Sequence, residues 1–210
     1  MKLLRNTFFI AITLFAFQSF GQDKTFRDRL TFGLKAGINV NMIYDEEAED
    51  FTADPLVGFA GGAFVTLPLG KFLALQPEVM FSQKGVKASG SVLGTSYTWK
   101  RMVNYLDIPL LFAIRPAEFI NIYVGPQFGF RLSQKDSFTW GDNGIINQED
   151  FDTDIRRFML GIHTGLDFNV HHFVISPRVG LDLLDNRGDG SSTDPRYKNL
   201  TFQFTLGYRF

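Results

Sequence analysis

Residues 200–210 read LTFQFTLGYRF, so Leu200, Phe202, Phe204, Leu206, Tyr208 and Phe210 alternate without a break against Thr201, Gln203, Thr205, Gly207 and Arg209. A period of two belongs to an extended strand with one apolar and one polar face. Sustained over ~10 residues, with aromatics toward its end, it is the signature of a strand that crosses a membrane within a barrel. A half-buried strand of a soluble sandwich or lipocalin-like barrel shows the same alternation with the apolar side turned inward. The two differ in what the apolar face meets, and the rest of the chain decides between them.

The alternation recurs upstream in TFGLKAGINVNMI (31–43), VGFAGGAFVTL (57–67), FLALQPEVMFSQKG (72–85), WKRMVNYLDIPLLFAI (99–114), INIYVGPQFGFRL (120–132), IRRFMLGIHTGLDFNV (155–170) and FVISPRVGLDLL (173–184). With the last stretch this makes eight strands. Long polar connections around Glu47, Gly90, Asp142 and Gly190 alternate with short ones at 68–71, 115–119 and 171–172. A soluble up-and-down barrel has no reason to keep every second connection long, whereas an outer-membrane barrel puts long loops at the cell surface and short turns in the periplasm. An even strand count places both chain ends on the short-turn side.

The N-terminal stretch agrees with export. Lys2 and Arg5 precede an apolar run from Phe8 to Phe17, followed by Ser19 and Gly21, which is the layout of a secretory signal peptide over 1–21 cut before Gln22. The run is shorter than the ~20 apolar residues a membrane-spanning helix needs. The barrel domain is then 22–210, within the outer membrane of a diderm bacterium.

Composition narrows the function classes. Removal of Lys2 and Arg5 takes the formal net charge from −1 to −3, which leaves no basic stripe for nucleic acid. Cysteine is absent, which excludes a disulfide, a lipidated cysteine and any thiolate nucleophile or metal site. The 24 Phe suit a lipid-facing surface, and several of the 20 Gly fall on the polar face, where a narrow interior leaves little room. Pro77, Pro109, Pro126 and Pro177 fall inside strands, where each removes a ladder N–H that lipid cannot replace; bulges or strand ends at the interface are the expected explanations.

The polar face is rich in charge, and a small barrel is filled by side chains, so opposite charges inside it should pair. Lys35, Glu78, Asp107, His163, Arg178 and Asp182 are expected to form a buried ion and hydrogen-bond network. His163 and Asp167 stand ~13 Å apart along one strand, too far for direct contact, and no nucleophile accompanies them. No catalytic site, metal or other cofactor is expected. His171 and His172 read as a solvated turn, and Arg187–Gly190 (RGDG) as turn chemistry. Phe138, Trp140 and Phe151, set among acidic residues of the third long loop, are the candidate surface for a protein partner.

Several of these pieces together resemble the PorT-like family of outer-membrane barrels: FGLKAGINV, the pair YLDIPLLF and YVGPQFGF, the glycines of MLGIHTGLDF, and LTFQFTLGYRF. The resemblance implies an eight-strand barrel inserted by the barrel-assembly machinery, with Phe210, Tyr208 and Leu206 as the assembly signal. It implies prolines at Pro109 and Pro126, and for one named relative a link to protein secretion. The fold expected is therefore all-β: an eight-stranded antiparallel up-and-down transmembrane barrel with a filled polar interior. Its expected partners are outer-membrane lipid, the assembly machinery and a surface-bound protein.

Overall fold

The computed structural model describes residues 26–47, 53–92, 95–140, 145–148, 156–186 and 196–210. The signal-peptide expectation over 1–21, Phe151 and the Arg187–Gly190 run lie outside these residues. Ten strands follow in order: β1 Thr31–Glu47, β2 Ala53–Asp54, β3 Leu56–Pro68, β4 Leu73–Val92, β5 Thr95–Ala117, β6 Ile120–Trp140, β7 Ile145–Gln148, β8 Phe158–Val170, β9 Phe173–Asp182 and β10 Arg196–Arg209. Eight of them close a ring of antiparallel neighbours, β1–β3–β4–β5–β6–β8–β9–β10 and back to β1, while β2 and β7 are short additions to β4 and β6. The seam joins β10 to β1, with Leu34 opposite Tyr208, Ile38 opposite Phe204 and Met42 opposite Leu200.

The faces decide what surrounds this ring. Leu34, Ile38, Val57, Phe59, Val79, Phe112, Val124, Ile162, Phe202, Phe204 and Leu206 are exposed, whereas Lys35, Asn39, Gln76, Glu78, Asp107, Gln127, His163, Arg178 and Gln203 are buried. That is the reverse of a soluble barrel, whose apolar face fills the interior. Only a hydrocarbon solvent makes an outward band of Phe, Leu, Ile and Val favourable. One outward hydroxyl inside the band, that of Thr164, donates to the Tyr123 carbonyl at 2.8 Å and is so removed from lipid.

The in-strand prolines are accommodated in neither of the two expected ways. The β3–β4 ladder lapses between the pairs Phe64–Glu78 and Leu67–Leu75, around Pro77, and resumes in the same register. Equivalent lapses enclose Pro109 between β4 and β5, Pro126 between β5 and β6, and Pro177 between β8 and β9. The missing N–H removes rungs without slipping the strands, so these prolines are not bulges, and they lie well inside their strands. The register shifts that do occur are elsewhere: near Tyr44, and in the β5–β6 pair between Asn104 and Tyr105, midway along it, and between Ile114 and Ala117, at its short-turn end.

Lumen crowding accounts for some of the glycines, since a Cβ at Gly129 would stand 2.8 Å from the Asp107 carboxylate and one at Gly33 would stand 2.5 Å from the Phe64 ring, but others have a second cause. A Cβ at Gly125 would stand 2.0 Å from the Leu110 carbonyl oxygen, and one at Gly165 would stand 2.5 Å from that of Pro177. These are backbone atoms of the neighbouring strand, so at these positions the restriction comes from the close approach of that strand.

The strands differ greatly in length. β4, β5 and β6 have 20, 23 and 21 residues, whereas β8 has 13 and β9 has 10. A tilted strand crosses the hydrocarbon in ~9–11 residues. The outward face of β4 is apolar from Leu73 through Phe81 and then reads Gln83, Gly85, Lys87 and Ser89; that of β5 is apolar from Ile114 to Leu106 and then reads Asn104, Met102, Lys100 and Thr98. The ladder continues unbroken from Met80–Asp107 to Val92–Thr95. The connection expected to be a loop around Gly90 is therefore mostly strand, and β4–β6 rise above the lipid band as a sheet to which β2 and β7 add short edges.

Candidate functional site

Inward residues of the lipid-band segments meet in two charged groups. In the lower one, Glu78 accepts from Lys35 at 2.5 Å and from Arg178 at 2.8 Å, and Arg178 donates two further bonds to Asp167 at 2.9 and 3.2 Å. Gln76 donates to Glu78 at 2.8 Å, and its own carbonyl accepts from Thr66 and Tyr123, each at 2.7 Å. The Arg178 guanidinium lies 5.1 Å from the centre of the Tyr123 ring. Two cations against two carboxylates, with amides and hydroxyls filling the remaining valences, is the arrangement a dry interior requires.

The upper group is smaller. Lys84 lies 3.5 Å from Asp107 and 3.4 Å from Asp182, and Asn199 donates to Asp182 at 2.8 Å. Between and above these groups run the amide contacts Gln203 to Asn39 at 3.0 Å, Asn39 to Ser82 at 2.8 Å, and Thr201 to Asn41 at 3.1 Å. Together these side chains enter the lumen from all eight strands of the ring, so it encloses a polar plug.

Of the six residues expected to share one network, the structure joins Lys35, Glu78 and Arg178 in the lower group and Asp107 and Asp182 in the upper. His163 is buried beside Gly180, and its Nδ1 has no hydrogen-bond partner among the described residues. Lys84 and Asp167, which complete the two groups, were legible as inward residues, but their depth was not. Gln76 and Tyr123 went unread because neither carries charge.

Above the lipid band the inner surface changes character. Arg101 of β5 makes a bidentate pair with Asp136 of β6, at 2.9 and 2.8 Å, and its guanidinium lies 4.8 Å from the Trp99 ring. Tyr97 stacks on Phe138 with ring centroids 6.1 Å apart. Phe138 and Trp140, expected in a loop, belong to β6 and pair in register with Trp99 and Tyr97. The third candidate, Phe151, falls outside the described residues. The strand assignment was hidden by the register shift between Asn104 and Tyr105, which leaves Leu132 without a partner and moves the inward positions of β6 from odd to even numbers.

The proposed assembly-signal residues line the outer face of β10. Leu206 is 58% exposed, and Tyr208 and Phe210 pack edge to face with centroids 5.2 Å apart. Tyr208 also stacks on His172 of the β8–β9 turn at 5.2 Å. The Phe210 N–H donates to the Phe32 carbonyl at 2.8 Å, which carries the seam to its end.

Among the described residues no group of histidines, carboxylates or cysteines could hold a metal ion. Among curated proteins, none matches this sequence. Three solved structures are similar in architecture. The attachment invasion locus protein Ail of Yersinia pestis, in complex with a heparin analogue, shares 15% identity with a TM-score of 0.47, covering 87% of this chain and 99% of its own. OprG of Pseudomonas aeruginosa shares 11% with a TM-score of 0.43, covering 86% and 95%. Outer membrane protein W of E. coli shares 14% with a TM-score of 0.40, covering 85% and 97%. Residues 20–185 match the family described as the outer membrane protein beta-barrel domain, and with the closed ring and its outward apolar band this chain is a member of that family of outer-membrane barrels.

Proposed function

We propose that this protein is a non-enzymatic outer-membrane scaffold that holds a sheet of β4, β5 and β6 above the bilayer as an interaction surface for a protein partner, over a lumen closed to general diffusion. The observation that carries this reading is the change of the outward face from apolar to polar at Phe81 and Leu106 while the ladder continues to Val92 and Thr95. Strands of twice the spanning length serve no purpose inside lipid, and rigid scaffolds of this kind place binding on what projects from them. The half-buried Trp99, Tyr97 and Phe138 rings, braced by the buried Arg101–Asp136 pair, supply the aromatic chemistry that anchors protein contacts.

The chain has no cysteine of its own, so single-cysteine labelling tests the orientation directly. Ser89→Cys on intact cells should react with a membrane-impermeant maleimide, and Leu69→Cys in the β3–β4 turn should react only after lysis; the opposite pattern would invert the topology. Deleting 87–100 should leave the barrel heat-modifiable on a gel while abolishing capture of surface partners. Steady conductance of porin size across a planar bilayer would overturn the closed lumen.

The narrower placement among PorT-like proteins is also proposed, on the motifs FGLKAGINV, YLDIPLLF, YVGPQFGF and LTFQFTLGYRF, with Phe210, Tyr208 and Leu206 as the assembly signal. A secretion role follows from that placement alone. Comparison of the secreted proteome with and without the gene checks it: loss of a cargo set supports it, and an unchanged set removes it.

A further inference from the structure

Among the described residues, 26–30 carry no rung of the ladder, which β1 enters at Thr31, opposite Thr66. They lie across the short-turn mouth of the lumen instead. Arg27 Nε donates to the Lys71 carbonyl at 2.6 Å, and Arg27 and Arg115 each donate a guanidinium N–H to the other's backbone carbonyl. The Arg27 guanidinium also lies 5.3 Å from the centre of the Phe72 ring. Phe26 is held elsewhere: it meets His172 edge to face at 4.8 Å and stands between the guanidiniums of Arg29 and Arg209, 4.7 and 4.4 Å from its ring centre.

The β3–β4 turn, which holds Arg27, and the β8–β9 turn, which holds Phe26, are separated by β4, β5, β6 and β8 in one direction and by β9, β10, β1 and β3 in the other. They stand on opposite sides of the ring, so two consecutive residues gripped there carry the chain over its mouth. The grips are themselves fixed: Arg115 donates to the Gly70 and Leu73 carbonyls at 2.6 and 3.0 Å, and Arg209 to the His171 carbonyl at 2.8 Å. Beneath the crossing is a cavity of about 330 Å3 bordered by Phe26, Arg27, Thr66, Gln76, Tyr123 and Asp167, of which the last four belong to the lower charged group and its hydrogen bonds.

We propose that residues 26–30 form a lid whose opening admits water and small polar solutes from the turn side to the lower face of the plug. The hold on the lid differs in kind from the hold on the wall. A wall strand leaves only by breaking a ladder, whereas the described grip on the lid consists of side-chain contacts at Phe26, Arg27, Arg29 and Arg115, with the Asp28 carboxylate adding its charge beside Arg115. Contacts of that kind open locally far below the cost of unfolding. Leu30, between the lid and β1, is already exposed, so swinging outward uncovers little apolar surface there. Opening wets Gln76 and Asp167, which border the cavity, and leaves the Lys35–Glu78 pair, which does not, shut above them. The lid lies at the opposite end from the raised sheet and is independent of that reading.

Thr66→Cys supplies a reporter inside the cavity, since the chain has no cysteine of its own. The full chain in a neutral detergent is mixed with sulfonatoethyl methanethiosulfonate and labelling is followed by mass, with Leu69→Cys in the exposed β3–β4 turn setting the unhindered rate. With the lid intact, Thr66→Cys should label about tenfold or more slowly than Leu69→Cys. Phe26→Ala and Arg27→Ala should each speed Thr66→Cys labelling about tenfold, the effect of one lost contact on the opening equilibrium, while Glu118→Gln, exposed on the same rim, should not. Arg27 also braces the turn at Lys71, so the heat-modifiable gel shift verifies that each variant is folded, and Phe26→Ala carries the test where Arg27→Ala fails it. Ser82→Cys, buried beyond the lower group, should stay unlabelled throughout. An intact-lid rate equal to that of Leu69→Cys, no acceleration by the lid variants, equal acceleration by Glu118→Gln, or labelling of Ser82→Cys in step with Thr66→Cys would overturn the proposal.

Discussion

β5 passes through two environments, and its outward residues change character between them. From Leu106 to Ile114 the outward side chains are apolar, and the inward ones are Asp107, Pro109, Leu111 and Ala113, facing a lumen in which Glu78, Lys35 and Arg178 are sealed. From Thr98 to Asn104 the outward side chains are largely polar and the inward ones are Trp99, Arg101 and Val103, with Tyr97 above. The ladder differs too: it is interrupted at prolines within the lipid band and continuous above it. One strand can do both because the backbone bonds are satisfied laterally in either medium, so the side chains alone report the solvent.

The most disruptive way to break this contrast is to remove the carboxylate that two buried cations share. Glu78→Ala should destabilise the barrel by about 3–5 kcal/mol, the usual consequence of stranding buried charge, and equilibrium urea unfolding in lipid vesicles measures it. An unchanged midpoint would show that the lower group contributes nothing to stability.

A sharper comparison puts the same charge on the same face of β5 at two heights. Leu110→Arg, at the centre of the apolar band, should cost about 2–4 kcal/mol, and Thr98→Arg, above it, within about 0.5 kcal/mol of nothing. Equal costs would mean that the lipid boundary has been placed wrongly.

The smallest effect concerns a turn that serves only the lower region. His171 holds a left-handed φ of 54° in the β8–β9 turn. His171→Val should cost about 1–2 kcal/mol because a β-branched residue resists that conformation, and His171→Gly should be tolerated. The same unfolding titration distinguishes them.

How much of this was readable in advance follows from the same physics. The period of two in LTFQFTLGYRF and its seven counterparts names the ring, since alternation is a one-dimensional signal that survives without neighbours. Pairing partners are not in that signal. Lys35 and Glu78 can be expected at one depth because β1 and β4 begin at the same rim, but Lys84 meets Asp182 only through the stagger of β9. Phe138 looked like loop because a strand outside lipid need not be apolar, and the extra residue at Leu132 reverses which side of β6 faces in. Pro77 and Pro177 looked like bulges because the sequence does not show that a ladder can drop rungs and keep its register.

The seam between β1 and β10 sets the order in which this molecule can come into being. Leu34 and Tyr208 face one another, although almost the whole chain separates them in sequence. Every other neighbouring pair in the ring can meet through a local connection, so hairpins can form early, but an open sheet of them leaves a row of unpaired amides that hydrocarbon does not tolerate. Closure is thus the slowest search and the one that admits the chain to the bilayer. Until it happens, the open eight-strand sheet is a species that must be shielded, and the time spent in that state, more than the strength of any contact in the finished barrel, governs how much of the chain reaches the membrane.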